Sequence, residues 1–162
     1  MRSRTALMAM LLVAACSQRS APPPPAAPAP AAQAGPRVIF PDNFTVQVEI
    51  AADDPTREQG LMYRDRMAED RGMIFLFAQD GVYPFWMKNT LIPLDMIWID
   101  AMRKVVSVQH DVPPCKADPC PSFPPTGAAR YVLETAAGVA NKHGVRAGAR
   151  LQFEGLDSVI VR

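Results

Sequence analysis

The segment that most constrains the fold of this 162-residue chain is FTVQVEI, residues 44–50. Its apolar side chains recur at every second position, which is the period of a β-strand with one buried and one exposed face. Several further strand-length segments follow, separated by turn-forming residues. Short, numerous strands of this kind predict a mainly antiparallel sheet. The further segments are residues 72–77, 83–87, 95–100, 104–109, 130–134, 150–154 and 158–162.

Two short helices are predicted between these strands. Asp54 before a proline is typical of an N-cap, and indicates a helix over residues 55–63. Thr135 is the expected cap of a second helix, residues 136–143, which ends before Gly144. Six prolines within residues 112–127 predict a loop. The fold class expected is α+β, mainly antiparallel β, as a compact barrel-like sheet with two short helices.

The N-terminus has the features of a secretory signal peptide over residues 1–15. A cationic start is followed by an apolar run too short to span a bilayer, and small residues precede Cys16. This arrangement resembles a bacterial lipoprotein signal, in which the cysteine is acylated and becomes the new N-terminus. The resemblance implies a membrane anchor through a lipid on Cys16. A serine at position 17 resembles the signal that directs lipoproteins to the outer rather than the inner membrane, where the domain would face the periplasm. An ordinary signal with an incidental cysteine remains the alternative.

Residues 16–36 are dominated by alanine and proline, which predicts an extended tether rather than a packed element. Residues 37–162 then form a single globular domain of 162 − 36 = 126 residues. Removing Arg2, Arg4 and Arg19 from the 17 basic residues leaves 14 against 16 acidic ones, a net charge of −2. A near-neutral domain without a basic stripe does not favour nucleic-acid binding.

Cys115 and Cys120 lie in the proline-rich loop as CKADPC. In an oxidising compartment two such cysteines are expected to form a disulfide. A metal site that adds His110 and Asp118 is the alternative, although the cysteine spacing is not that of structural zinc. His143, beside a helix C-terminus, has a sufficient structural role. We therefore predict neither a metal nor a cofactor.

The stretch FWMKNTLIPLD, residues 85–95, places polar residues inside an apolar run. Pro93 does not fit a central strand, so a turn is expected between Lys88 and Pro93. Asp95 then begins the next strand, with Met96 and Trp98 on one face and the alternate isoleucines on the other. Lys88 and Asp95 would form an ion pair with each other, or pair with Glu58 and Arg64 of the first helix.

Four segments together resemble domain-of-unknown-function family 192. They are EQGLMYR (residues 58–64), GMIFLF (72–77), FWMKNTLIPLD (85–95) and RYVLETAAG (130–138). The resemblance implies a compact, mainly β fold with short helices, but neither an activity nor a catalytic residue. Trp98 departs from the family pattern, which has phenylalanine at this position. The residues that carry the family pattern are Glu58, Gly60, Met62, Arg64, Trp86, Lys88, Asn89, Thr90, Pro93 and Asp95.

A dense polar cluster beside aromatic residues, without a nucleophile and base pair, predicts non-catalytic binding of a small ligand or an envelope partner. The surface expected to bind is that of Lys88, Asn89 and Asp95. A hydrolase-type enzyme with Asp95 or Glu58 as general base is one alternative, and a structural envelope module is another. The candidate ligand-binding residues are Glu58, Arg64, Trp86, Lys88, Asn89, Thr90 and Asp95.

Overall fold

The computed structural model describes residues 35–162. The predicted signal peptide, Cys16 and nearly all of the predicted tether lie outside these residues. No helix within residues 35–162 has the length and apolar character needed to cross a bilayer. The strands are β1 (Arg37–Ile39), β2 (Thr45–Ala51), β3 (Arg71–Gly81), β4 (Phe85–Trp86), β5 (Leu94–Ile99), β6 (Val105–Val112), β7 (Ser122–Phe123), β8 (Ala129–Ala136) and β9 (Gln152–Glu154), and the helices are α1 (Asp54–Gln59) and α2 (Val139–Lys142).

Seven strands form one sheet in the order β6-β5-β8-β3-β2-β1-β9. All neighbours are antiparallel except β2 and β3, which are parallel because the connection through α1 returns the chain to the same end of the sheet. Beyond β6, the Val105 amide donates to Ala149 O at 2.8 Å and the Leu151 amide to Arg103 O at 2.9 Å. These bonds draw the β6 edge towards the segment before β9, so the sheet curls. The predicted α+β, barrel-like class is confirmed.

Alternation along the strands gives the sheet two buried faces. One face packs against α2, and we call it the α2 face. The other is covered by the segment after α1 and by the turn after β4, and we call it the opposite face. Because both faces are covered, all of β5 is buried. Val46, Ile74, Ile97 and Leu133 belong to the α2 face, and Phe75, Met96, Trp98 and Val132 to the opposite face.

Helix α1 begins one residue earlier than predicted. The N-cap is Asp53, whose carboxylate accepts from the Thr56 amide at 2.9 Å, while the Thr56 hydroxyl reaches back to the Asp53 amide. The helix ends at Gln59, because Gly60 has φ +47°, a value that L side chains rarely adopt. Gly60 is therefore the C-cap and not a glycine inside the helix.

Two further predictions of secondary structure were wrong, and one strand was missed. Thr135 lies in β8 and does not cap a helix, because β8 continues to Ala136 and α2 is only four residues long. Residues 158–162 form no strand; they are held by Val159, which packs on the core, and by the Arg162 amide, which donates to Ala52 O at 2.8 Å. Strand β1 was not predicted, because three residues are too few to show alternation.

The proline-rich loop contains the predicted disulfide. Cys115 and Cys120 are bonded, with their Cα atoms 5.6 Å apart. Their sulfurs are therefore not thiolate ligands, which removes the metal-site alternative built on them. The same loop carries β7, which pairs with β4 in a separate two-stranded sheet.

Candidate functional site

A cleft of about 460 Å³ opens where α1 faces the turn after β4. Helix α1 contributes Glu58 and Gln59, and Trp86 is the last residue of β4. An adjoining hollow of about 260 Å³ shares Glu58 and Trp86 and is otherwise mostly aromatic. We call the 460 Å³ space the Trp86 cleft. It is lined by Pro55, Glu58, Gln59, Met62, Tyr63, Trp86, Lys88 and Asn89.

The two walls of the Trp86 cleft are joined by hydrogen bonds between Tyr63 and Asn89. The Tyr63 amide donates to Asn89 O at 2.8 Å, and Asn89 Nδ2 donates to the Tyr63 hydroxyl oxygen at 2.9 Å. Both residues have positive φ, +64° for Tyr63 and +55° for Asn89. Left-handed backbone at a non-glycine residue persists only where the surroundings hold it, and such positions cluster at functional sites. The rim of the cleft is thus fixed in shape.

Trp86 and Lys88 form the exposed wall. Trp86 is 47% exposed, an unusual state for so large an apolar side chain. The Lys88 ammonium lies 5.3 Å from the centroid of the Trp86 ring, within the range of a cation–π interaction. The cleft therefore presents an aromatic surface that already has a cation beside it.

Glu134 lines a hollow of about 30 Å³ next to the Trp86 cleft, which we call the floor hollow. This hollow is also lined by Glu58, Trp86, Lys88 and Thr90. The side chain of Glu134 is on the opposite face of the sheet, and its register partners on β3 and β5 are Met73 and Met96. Only 4% of Glu134 is exposed. Within residues 35–162 its carboxyl group forms neither a side-chain hydrogen bond nor an ion pair.

Burial raises the pKa of Glu134 to about 8. The cause is loss of hydration, which disfavours the carboxylate form. At neutral pH Glu134 is therefore mainly a carboxylic acid, with one O–H donor and one acceptor oxygen. A hollow of about 30 Å³ has room for roughly two water molecules or a single ligand group of that size.

The sequence prediction missed Glu134, although the residue lies in the quoted segment RYVLE. It was placed at the end of a strand and given no role. The sequence did contain a signal, because Glu134 directly follows Tyr131, Val132 and Leu133, and an acidic side chain in an apolar strand is either paired or functional. Val132, two residues earlier, shares its face and is fully buried.

Asp95 does not belong to the cleft. It is fully buried, and its two carboxylate oxygens accept from the backbone amides of Asp111 at 2.9 Å and Ala140 at 2.8 Å. Asp95 thereby supplies the cap that α2 lacks from its own residues. The predicted ion pair with Lys88 is wrong, because strand alternation turns Asp95 to the α2 face, with Ile97. Asp95 has no exposed surface and cannot act as the general base of the hydrolase alternative.

Arg64 is also directed away from the Trp86 cleft. It forms a two-pronged ion pair with Glu49 of β2, with Nη2 2.7 Å from Oε2, and this bond lowers the pKa of Glu49. Arg64 lines a different hollow of about 460 Å³, next to Arg66 and Arg71. Of the candidate residues, the structure brings together Glu58, Trp86, Lys88, Asn89 and Thr90.

The charged groups around the cleft suit hydrogen bonding and proton transfer. Residues 35–162 contain no cluster of three or more His, Cys, Asp or Glu side chains arranged to hold a metal ion. Glu58 is exposed at the rim, and Glu134 is buried at the floor. The site thus has one carboxyl group in contact with solvent and one that is almost completely buried.

Two solved structures are similar to this chain. One is a crystal structure at 1.55 Å of a candidate transcription regulator from Sinorhizobium meliloti 1021. Its sequence is 39% identical, the match covers 75% of this chain and 93% of that protein's chain, and the TM-score is 0.63. The other is a protein of unknown function from Novosphingobium aromaticivorans DSM 12444. Its sequence is 28% identical, the match covers 72% of this chain and 82% of that protein's chain, and the TM-score is 0.64. No curated protein matches. The model of the family DUF192, described as an uncharacterized ACR, matches residues 38–153, and the chain belongs to that family.

Proposed function

We propose that the Trp86 cleft is a binding site for a small molecule. The observation that carries the proposal is Glu134, a carboxyl group that is only 4% exposed and has no hydrogen-bond partner within residues 35–162. It lines a hollow that shares Glu58, Trp86 and Lys88 with the cleft. Leaving a polar group buried and unpaired destabilises a protein by about 1–3 kcal/mol. A fold tolerates such a group most readily where a ligand supplies the missing hydrogen bond.

The dimensions of the cleft support the proposal. Small-molecule sites have volumes of about 300–1,000 Å³, and the Trp86 cleft, at about 460 Å³, lies within this range. Its lining combines the exposed ring of Trp86 with amide, carboxylate and ammonium groups. The hydrogen-bonded Tyr63–Asn89 pair keeps the rim in place, so little conformational entropy is lost on binding.

The experiment is a thermal-shift screen of polar metabolites, both neutral and charged, on the purified full chain. We expect at least one class of compound to raise the melting temperature of the unmodified chain and not that of the Trp86→Ala variant. Met102→Ala is the matched control, since Met102 is also a large apolar side chain on the surface, 67% exposed against 47% for Trp86, and lies in the turn between β5 and β6. If every compound acts equally on the unmodified chain and on Trp86→Ala, the proposal is refuted.

Hydrolysis is a second candidate, favoured by the pairing of a rim carboxylate with a buried acid. Glu134 would donate a proton to a leaving group, and Glu58 would activate water. Chromogenic esters and glycosides test this candidate. Turnover should be lost in Glu58→Gln while the thermal shift persists, and an absence of turnover in the unmodified chain removes the candidate.

We also propose that the domain is anchored to the cell envelope by a lipid on Cys16. The support is the signal-like sequence of residues 1–16 and the alanine- and proline-rich segment that follows. Mass spectrometry of the chain expressed in a bacterial host should find an acylated Cys16 in the membrane fraction. The Cys16→Ala variant should leave that fraction, and an unmodified Cys16 would refute the anchor.

A further inference from the structure

We propose that the ligand of the Trp86 cleft is a neutral, polyhydroxylated ring, that is, an uncharged sugar. This inference rests on the proposed binding function and names the chemical class of the ligand. It depends on three features of the site, namely the balance of charge, the combination of aromatic and polar side chains, and the small hollow in front of Glu134.

The balance of charge disfavours both cations and anions. A cation that approaches the Trp86 ring meets the Lys88 ammonium, which already lies 5.3 Å from the ring centroid. Arg57 also lines the floor hollow, but its guanidinium group is already paired with the carboxylate of Asp54 at 2.7 Å. An anion meets the carboxylate of Glu58, which lines the cleft and both adjoining hollows. An uncharged ligand avoids both repulsions.

Both aromatic and polar side chains line the cleft. Trp86 and Tyr63 are 47% and 69% exposed and offer aromatic faces. The same cleft is lined by Gln59 and Asn89, whose side-chain amides have both donor and acceptor groups. A sugar ring has apolar C–H faces and a rim of hydroxyl groups, each of which also donates and accepts. Its faces would stack on the aromatic rings while its hydroxyls bond to the amides.

The floor hollow selects for a small uncharged group. Its volume of about 30 Å³ admits a hydroxyl group from the ligand, or a water molecule that bridges to it. The acid form of Glu134 would donate to that hydroxyl oxygen. The groups that face Glu134 are Met73 from β3 and Met96 from β5, both uncharged, with Arg57 and Glu58 of α1 and Lys88 of the turn after β4 around the same hollow.

The test uses three sugars that differ in charge, namely N-acetylglucosamine, glucosamine and glucuronate, with free glycine as a non-sugar zwitterion. Binding to the purified full chain is followed by calorimetry and by the fluorescence of Trp86, with the Trp98→Phe variant used to remove the second tryptophan. We expect the neutral sugar to bind at least tenfold more tightly than either charged sugar and than glycine. Trp86→Ala should lose at least tenfold in affinity, and Met102→Ala should lose none.

Binding should also depend on pH through Glu134. Because the acid form is the donor, affinity for the neutral sugar should fall about tenfold between pH 7 and pH 9. Glu134→Gln keeps a donor and an acceptor at this position, so it should bind with an affinity that does not vary with pH. This readout separates a role for Glu134 in binding from a purely structural one.

Two results would overturn the inference in distinguishable ways. If glucosamine, glucuronate or glycine binds as tightly as the neutral sugar, and Trp86→Ala abolishes that binding, the ligand class is wrong and the binding function stands. If none of the probes binds, and the broader thermal-shift screen also finds no compound that depends on Trp86, both proposals are wrong.

Discussion

Replacing Glu134 with glutamine should make the stability of the chain less dependent on pH. The pKa of Glu134 is raised from 4.5 to about 8 in the folded state. Between these values the folded state holds a proton that the unfolded state has released. The free energy of unfolding therefore falls as pH rises from about 4.5 to about 8, and the contribution is constant outside that window.

The expected magnitude follows from the size of the shift. One pKa unit corresponds to 1.36 kcal/mol, so a shift of about 3.5 units costs on the order of 5 kcal/mol above pH 8. At pH 7 only the interval from 4.5 to 7 contributes, on the order of 3 kcal/mol. Glu134→Gln removes this cost because the amide does not titrate. Its own unsatisfied groups lower stability by an amount that is the same at every pH.

Urea unfolding followed by circular dichroism, at half-unit steps from pH 4 to pH 9, measures the effect. The difference in free energy of unfolding between Glu134→Gln and the unmodified chain should increase by about 1.4 kcal/mol per pH unit between pH 5 and pH 8. Glu49→Gln is the control. Arg64 lowers the pKa of Glu49 below 4.5, so the stability that Glu49 contributes is lost only at pH values below about 4.5, and this variant should give a flat difference between pH 5 and pH 8. A flat difference across pH 5–8 would show that Glu134 is hydrated or paired, and would refute the reasoning.

Three further predictions concern stability. Asp95→Ala should destabilise by roughly 2–5 kcal/mol, because two buried amides lose their acceptor, and an effect below 1 kcal/mol in urea unfolding would contradict the capping role. Gly72→Ala should destabilise by about 1–3 kcal/mol, because the added Cβ would lie 2.5 Å from the carbonyl oxygen of Glu134; an unchanged urea midpoint would show that β3 and β8 separate easily. Reducing the Cys115–Cys120 disulfide should lower stability by about 2 kcal/mol, since the closed loop is short; equal midpoints with and without dithiothreitol would contradict this.

Much of the sheet was predictable because strand alternation is a local property. The period of two placed Val46 and Val48 on the buried face of β2, and placed Met96 and Trp98 opposite the isoleucines of β5. Helix ends were predicted less well, because a cap depends on which oxygen reaches a free amide. Asp53 rather than Asp54 reaches the Thr56 amide, and α2 is capped by Asp95, a residue 45 positions away from Ala140.

The site was predicted only in part, for a similar reason. Trp86, Lys88 and Asn89 are adjacent in the chain, so their grouping was visible in FWMKNT. The sequence predicted Asp95 in the same group, yet one step of strand alternation turns it to the other face of the sheet. Glu134 comes from a different strand, and its position below Trp86 depends on how β8 is placed between β3 and β5.

The amino-acid sequence by itself determined the family, the fold class, most of the strands and the disulfide, because each depends on neighbouring residues or on a short motif. The tertiary structure alone decided which carboxyl groups serve the fold and which face a cleft. Asp95 and Glu134 are both acidic residues in buried strands. Asp95 is directed at two backbone amides and Glu134 at a hollow beside the cleft, a difference that arises only when distant segments pack together.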